Sequence, residues 1–347
     1  LIKIKKFKGM KKKKMLIVPI FIPHEGCPYR CVFCSQVDIT GTRYTADEKH
    51  VLDTLKTYLG PDFNSNRASK CEVAFYGGSF TGLPKERQEF LLSVVRPFLD
   101  NGRVDAIRVS THPLFINSER LDLIKAYGVK TVELGVQSTS EQVLEESGRP
   151  CSKADLLKSI SLIKKRNFML GLQLMLGLPG DNEKRFQRSV MDVISMKPDF
   201  VRLYPTLVLR HTSLYSMYQK GLYSPWSLGR TLKALKNAIS LFNQFSIPVI
   251  RVGVQPDRSL EENLVAGPFH PSLRYLVDCQ VSLDLMVEKI LSLNRMPKKI
   301  LFRVPKNSVS VYTGNKRENI RYIQGRFGFD EVFLVGEELC REIELVA

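Results

Sequence analysis

No run of 18 apolar residues occurs anywhere in the chain, so the sequence offers no membrane span. Internal repeats are missing too, as are low-complexity segments beyond one lysine-rich stretch, which sets aside repeat architectures. No second Cys-x-x-Cys pair exists, so a structural zinc site built from two separated pairs is short of ligands. The seven cysteines are odd in number and four of them are scattered, which disfavours a disulfide framework. Acid is absent from residues 1–14, which carry eight lysines and account for close to half of the net charge of +17. These lysines and the apolar stretch Met15–Ile22 imitate a secretory signal. That stretch is short, holds Pro19 and runs into Pro23, His24 and Glu25 rather than small residues, so a cytoplasmic protein is expected. Met10 reads as an initiator, with residues 1–9 an upstream extension. Residues 1–15 are expected to be a disordered basic tail that binds RNA phosphates or only solubilises.

What is present suits an α/β enzyme. With 347 residues and 44% hydrophobic content, the chain has material for one large barrel domain and a small appendage. Apolar runs are expected as strands at Leu16–Phe21, Cys71–Tyr76, Ala106–Ser110, Thr131–Val136, Phe168–Leu176 and Phe200–Tyr204. Amphipathic stretches between them read as helices, with Pro84 and Ser152 at two of the starts. Alternation of this kind predicts a parallel sheet wound by right-handed crossovers. Six β/α units are too few to close an eight-stranded barrel, so the expected fold is an open, partial (β/α)6 barrel over residues 16–276. Residues 205–275 read as a long loop, a helix at Leu228–Phe245 and a seventh strand at Val249–Val254. A small C-terminal α/β domain is expected over 277–347, with helix Val281–Leu293, strands Ile300–Val304, Val309–Tyr312 and Glu331–Val335, and helix Arg317–Arg326. Its basic residues suit RNA docking or a solvated surface.

The most informative stretch is 22–36. Cys27, Cys31 and Cys34 stand there in a C-x3-C-x2-C spacing, with Phe33 just before the third cysteine. Thiolate is the usual ligand of iron–sulfur clusters, and three on one short loop can each hold one corner of a four-iron cluster. One iron is then left open to another ligand. The alternatives are zinc completed by His24 or Cys71, and redox work by Cys31 and Cys34 that leaves Cys27 unexplained. Gly77-Gly78-Ser79 directly follows a strand; its glycines permit close approach of backbone to a ligand, or simply a turn. Gln137 ends the strand Val-Glu-Leu-Gly-Val-Gln, Arg149 lies in Ser-Gly-Arg-Pro, and Gln173 sits in Leu-Gln-Leu-Met-Leu-Gly-Leu-Pro-Gly. An arginine fork pairs with a carboxylate in bidentate fashion. Cys71, Cys151, Cys279 and Cys340 read as small apolar packing residues.

The cysteine spacing with Phe33 resembles the signature of the radical S-adenosylmethionine (SAM) superfamily. Roughly residues 16–276 resemble the radical SAM half of the catalytic subunit of Elongator. The match is carried by Gly77–Phe80 with Leu83-Pro84, by Val132–Ser138, and above all by Leu203–Arg210 with Leu214-Tyr215 and Gly221-Leu222-Tyr223. The resemblance implies a four-iron, four-sulfur (4Fe-4S) cluster on Cys27, Cys31 and Cys34. It also implies SAM, with its amino group on Gly77, Gly78 and Ser79 and its adenine near Phe33. The arrangement of Gln137, Arg149 and Gln173 is similar to that of oxygen-independent coproporphyrinogen oxidases, which implies ribose contacts from the two glutamines and a carboxylate contact from Arg149. Reductive cleavage of SAM to a 5'-deoxyadenosyl radical, which then abstracts hydrogen from substrate, would follow, fed by a flavodoxin- or ferredoxin-like donor of low potential.

The chain departs from these families at Ser79 and Gln173, where acids are usual, and at Ser110, where the oxidases have an acidic SAM contact. It has His112-Pro113-Leu114 where Elongator subunits have Arg-Pro-Asp, and His211 where they have glycine. About 70 residues follow 276, too few for Elongator's acetyltransferase domain, so its tRNA chemistry is not expected intact. Arg202, Tyr204, His112, His211 and His270 lie at or after strand ends, and none is assigned a catalytic role. The basic charge favours RNA as substrate. The alternatives are a tetrapyrrole-like cofactor precursor, or an iron–sulfur or zinc protein without catalysis.

Overall fold

The structure is a computed structural model that describes residues 15–35, 46–60 and 70–346. The lysine-rich tail lies outside these residues. The described residues form two compact units: one runs to Ser227 and resumes at Phe245–Phe269, and the other comprises Leu228–Gln244 and the chain from His270 onward.

The first unit is built on a seven-stranded parallel sheet. Its strands are β1 (Met15–Phe21), β2 (Lys70–Tyr76), β3 (Ala106–Thr111), β4 (Val129–Gln137), β5 (Met169–Leu176), β6 (Phe200–Pro205) and β8 (Val249–Val252). They lie in sequential order, with the short β7 (Val208–Leu209) left out. Strands added always on the same side curl a parallel sheet toward a barrel, whereas a doubly wound sheet reverses direction at a switch point. Here β1 and β8 remain edges, so the barrel is open, as the alternating pattern predicts. Pro19 is tolerated because β1 is an edge strand.

Most helices of this unit begin where side-chain oxygens can cap free amides. In α1 (Glu48–Leu59) Asp47 accepts from the His50 amide. The helices α2 (Lys85–Asp100), α3 (Ser118–Ala126), α4 (Glu141–Glu146), α5 (Lys153–Lys165) and α6 (Glu183–Ser195) follow β2 to β5. Ser152 and Asp155 form a reciprocal capping box at the start of α5. The expected long loop after β6 holds more structure than its sequence suggests. It contains β7, α7 (Ser213–Gln219), α9 (Arg258–Asn263) and β9 (Leu264–Ala266), with β7 and β9 paired antiparallel. These pieces are too short to show a period.

In the second unit α8 (Leu228–Gln244) lies with α10 (Leu273–Leu291), tied by an ion pair between Lys236 and Asp284 at 2.6 Å. The boundary expected at 276 therefore falls inside α10, because the apolar face of that helix begins at Leu273 and continues unbroken to Ile290. A three-stranded sheet follows, of β10 (Lys299–Pro305), β11 (Glu331–Glu337) and β12 (Glu344–Val346), with β10 central. Val309–Tyr312, expected as a strand, is instead the helix α11 (Val309–Thr313). Its Val-Ser-Val-Tyr alternation imitates a strand, but Tyr312 goes into the same core as Met286, Phe302 and Ile320. Thr313 Oγ1 donates back to the Val309 carbonyl at 2.8 Å and closes the turn. The helix α12 (Glu318–Phe327) is found as expected. No helix among the described residues is long and apolar enough to cross a membrane.

Candidate active site at the carboxyl ends of the strands

The three cysteines leave β1 on a loop that turns sharply at His24 (φ 58°) and Gly26 (φ 71°). The loop is fastened to the segment after β2 by backbone bonds. The Ile22 amide donates to the Tyr76 carbonyl at 2.8 Å, the His24 amide to Gly77 at 2.8 Å, and the Ser79 amide to Glu25 at 2.9 Å. Glycine makes this approach possible. A Cβ on Gly78 would lie 2.5 Å from both the Ile22 and Glu25 carbonyl oxygens, and one on Gly26 would lie 2.3 Å from the Ser79 oxygen. Two segments with side chains at these positions cannot pack this closely. Glu25 then takes a two-pronged ion pair from Arg87 of α2 at 3.0 and 3.2 Å, which anchors the loop from outside.

None of the three cysteines is in a disulfide; Cys31 is buried, while Cys27 and Cys34 are half-buried. The Val32 amide donates to the Ser147 carbonyl at the end of α4, and the Leu214 amide of α7 donates to Val32. Phe33 joins an apolar cluster with Val208, Leu214 and Tyr223. Among the described residues no three His, Cys, Asp or Glu side chains close on a single point as a lone metal ion would require. A four-iron cluster makes no such demand, since each cysteine holds a different iron.

Arg149 is the hub of the site. Its Nη1 donates to Cys31 Sγ at 3.6 Å, and its Nη2 donates to the Gly135 carbonyl of β4. Gly135 has no side chain to obstruct this: a Cβ there would fall 2.8 Å from Gln137 Nε2 and 3.2 Å from Arg149 Nη2. The strand bulges between Gly135 and Gln137, and Gln137 sits at φ 67°, a left-handed conformation uncommon for a non-glycine residue. Gln137 Oε1 accepts from Gln173 Nε2 at 3.4 Å. Cys31, Arg149, Gln137 and Gln173, far apart in sequence, are thus linked neighbours. Gly77, Gly78 and Ser79 meet the cysteine loop through backbone, and Phe33 meets α7 and β7 through its ring.

Two buried donors in this region have no partner, Arg149 Nε and His112 Nε2. Buried N–H groups are rarely left so, and a pair of them beside a cysteine loop fits an anionic, acceptor-rich group. Three thiols on one loop, none in a disulfide and one already under a guanidinium, suit the 4Fe-4S cluster by donor chemistry. His112 received no role from the sequence. Burial, then the Arg149 charge, lowers its pKa from 6.5 to about 3. An unfolded imidazole takes up a proton below about 6.5 that the folded one refuses until about 3, so stability falls as pH drops through that window. The cluster-free protein should lose about 2 kcal/mol from this group between pH 7 and 5, a loss that His112→Phe removes. Urea unfolding at both pH values checks it; equal pH slopes in the two proteins would refute it.

A charged network inside the sheet went unassigned at the level of sequence. Arg108 of β3 pairs with Glu72 of β2 at 2.6 Å and with Glu133 of β4 at 2.7 Å, and Arg202 of β6 reaches Glu133 at 2.9 Å. Arg202 Nη2 donates to Tyr76 Oη, and its Nη1 to Tyr204 Oη at 3.3 Å. Desolvation is the largest single influence and works against the Arg202 charge, but Glu133, Tyr204 and Tyr76 together outweigh it and the guanidinium pKa is raised. A signal existed in the form of Glu72, Arg108, Glu133 and Arg202, each the one charge within an apolar run. The other cysteines pack: burial pushes the Cys71 thiol up to about 11, with Asp105 and Glu72 adding to the shift.

Comparison with known proteins agrees with this geometry. The family model for the radical SAM superfamily matches residues 21–193, and that for the radical SAM C-terminal domain matches residues 198–282. A tRNA uridine(34) acetyltransferase of Methanocaldococcus jannaschii is 24% identical over 265 residues, which are 65% of this chain and 48% of that protein. The heme chaperone HemW of Bacillus subtilis is 25% identical over 203 residues, 56% of this chain and 52% of that one. The chain spans about half the length of these curated relatives. The solved structure of archaeal Methanocaldococcus infernus Elp3 superposes with a TM-score of 0.60 at 20% identity, covering 80% of this chain and 63% of that one. With consecutive family matches from the end of β1 into α10, and with the cysteine loop, glycine turn and Arg149 brought together at one end of an open parallel barrel, the chain belongs to the radical SAM superfamily of enzymes.

Proposed function

We propose that this chain binds a 4Fe-4S cluster through Cys27, Cys31 and Cys34, binds SAM beside it, and uses the resulting radical on RNA. The observation that carries this reading is the contact of buried Arg149 with both Cys31 and the end of β4, where Gln137 and Gln173 also meet. Held by Cys27, Cys31 and Cys34 and reduced, such a cluster would supply the one electron for reductive cleavage of SAM to methionine and a 5'-deoxyadenosyl radical, the species that would abstract hydrogen from substrate. The protein's part is placement. Arg149 offers its fork to the SAM carboxylate beside the cysteine loop. The Gly77-Gly78-Ser79 turn offers backbone to the amino group, and Gln137 and Gln173 offer amides to the ribose. Phe33 and the α7 cluster shield the loop from water. A flavodoxin- or ferredoxin-like protein is the expected electron source.

RNA is favoured by the net charge of +17 and by the tRNA named in an archaeal relative's description. The likeness to a heme chaperone supports a second reading, in which the partner is a tetrapyrrole.

Anaerobic reconstitution with iron and sulfide, reduction with dithionite and addition of SAM should give 5'-deoxyadenosine in wild type and none in Cys31→Ala. A cluster that assembles without SAM altering its spectrum or being cleaved would overturn the enzyme reading and leave a structural metal protein. RNA affinity that falls steeply with salt supports RNA as substrate; tight porphyrin binding with salt-insensitive, weak RNA binding would move the proposal to the tetrapyrrole.

A further inference from the structure

We propose that His112 donates a hydrogen bond from Nε2 to the sulfur of the cluster at Cys31 and thereby raises the cluster's reduction potential. This rests on the cluster reading above and adds to it a residue that the cysteine motif does not contain.

The tautomer is set by the backbone. His112 ends β3 and caps the turn Pro113–Phe115, where its Nδ1 accepts from the Leu114 amide at 3.2 Å. An Nδ1 that accepts carries no proton, so the neutral ring carries it on Nε2. That N–H is buried and has no partner, in a residue 2% exposed. The ring packs against Tyr29, centroids 5.0 Å apart, and Tyr29 lies between Cys27 and Cys31 on the cysteine loop. Phe115 completes a triangle of rings, 5.8 Å from the imidazole and 5.7 Å from Tyr29. Arg149, whose charge bears on the imidazole, has Nη1 3.6 Å from Cys31 Sγ and its own Nε unpaired. The contact with Tyr29 and the reach of the Arg149 charge therefore place the unpaired N–H beside the loop that carries Cys31.

Packing alone does not account for a histidine here. A phenylalanine would pack against Tyr29 and Phe115 without burying an unpaired donor, which is costly, and would give up only the acceptor of the Leu114 amide. An N–H aimed at a cluster sulfur favours the more negative, reduced state, and hydrogen bonds to sulfur are among the terms that set cluster potentials. A neutral donor does this without adding a second full charge beside Arg149.

The test is a potentiometric titration of the reconstituted cluster, followed by electron paramagnetic resonance without SAM, in wild type, His112→Phe and His112→Gln. His112→Phe keeps the ring packing and removes the donor; His112→Gln keeps an N–H at similar reach. At one fixed potential His112→Phe should show a ratio of reduced to oxidised cluster about tenfold lower, a midpoint about 59 mV more negative for a one-electron couple. His112→Gln should lie near wild type. Cluster loss in His112→Phe with a wild-type midpoint in His112→Gln also supports the donor role. Full loading with equal midpoints in all three, or loss of the cluster in both variants, makes His112 a packing residue and overturns the proposal. A midpoint that differs only once SAM is added would place the imidazole on SAM and overturn it too. Failure of the wild type to hold any cluster sinks the reading of the preceding section, and this inference with it.

Discussion

Glu133→Ala should destabilise the protein by about 3–5 kcal/mol, the largest loss expected of any single change at the sheet interior. Glu133 accepts from Arg108 at 2.7 Å and faces Arg202 at 2.9 Å, and all three side chains are largely out of water. Removing the carboxylate leaves one guanidinium with only Glu72 and the other with only phenol oxygens, at a site where water cannot make up the loss. Glu133→Gln keeps the shape but not the charge and should fall between alanine and wild type. A double change, Glu133→Gln with Arg108→Met, should recover part of the loss, since the cost lies in the orphaned charge rather than in the absence of a bond. Denaturant unfolding of the four proteins decides the matter. A Glu133→Ala protein within 1 kcal/mol of wild type would mean that the network is hydrated and not load-carrying.

Gly78→Ala carries the second large effect, on the site rather than on overall stability. Its new Cβ would stand 2.5 Å from two backbone oxygens, neither of which can swing aside as a flexible side chain would. The cysteine loop and the turn after β2 must separate, breaking the Ser79 amide bond to Glu25 and moving Cys27 relative to Arg149 and Cys31. Iron content per chain after reconstitution should fall at least several-fold, and 5'-deoxyadenosine formation with it. Gly325→Ala is the control: it lies inside α12 with nothing within 4 Å of the new methyl group, and alanine is the better helix former by about 1 kcal/mol. Gly78→Ala protein with full iron and wild-type turnover would show that the two loops are not locked backbone to backbone.

The amount legible in the sequence differs by kind of feature. Helix and strand alternation is local, so the six-unit pattern and the seventh strand could be read from apolar runs and caps such as Ser152. The cysteine loop could be read because cluster ligation needs thiols close together in the chain. Val309–Tyr312 misled, because alternation over four residues suits a strand face and the side of a short helix equally well; only the shared core with Met286 and Phe302 separates them. The start of α10 was missed for a related reason, since Leu273 and Val277 precede the stretch where the period becomes plain.

For this protein the sequence by itself determined the fold class, the three-cysteine loop and the positions of Gly77, Gly78, Gln137, Arg149 and Gln173 as marked residues. Only the tertiary structure decided what several of them do to one another. Gly78 proves to be a seat for the cysteine loop, and Gly135 the space through which Arg149 reaches β4. His112 emerges as an unpaired donor beside the site, and four separated charges in apolar strands become one neutralised network. The physical reason is common to all of these. Close backbone approach, burial and charge pairing are relations between segments distant along the chain, and one strand's residues carry no mark of which neighbour the sheet will set beside them.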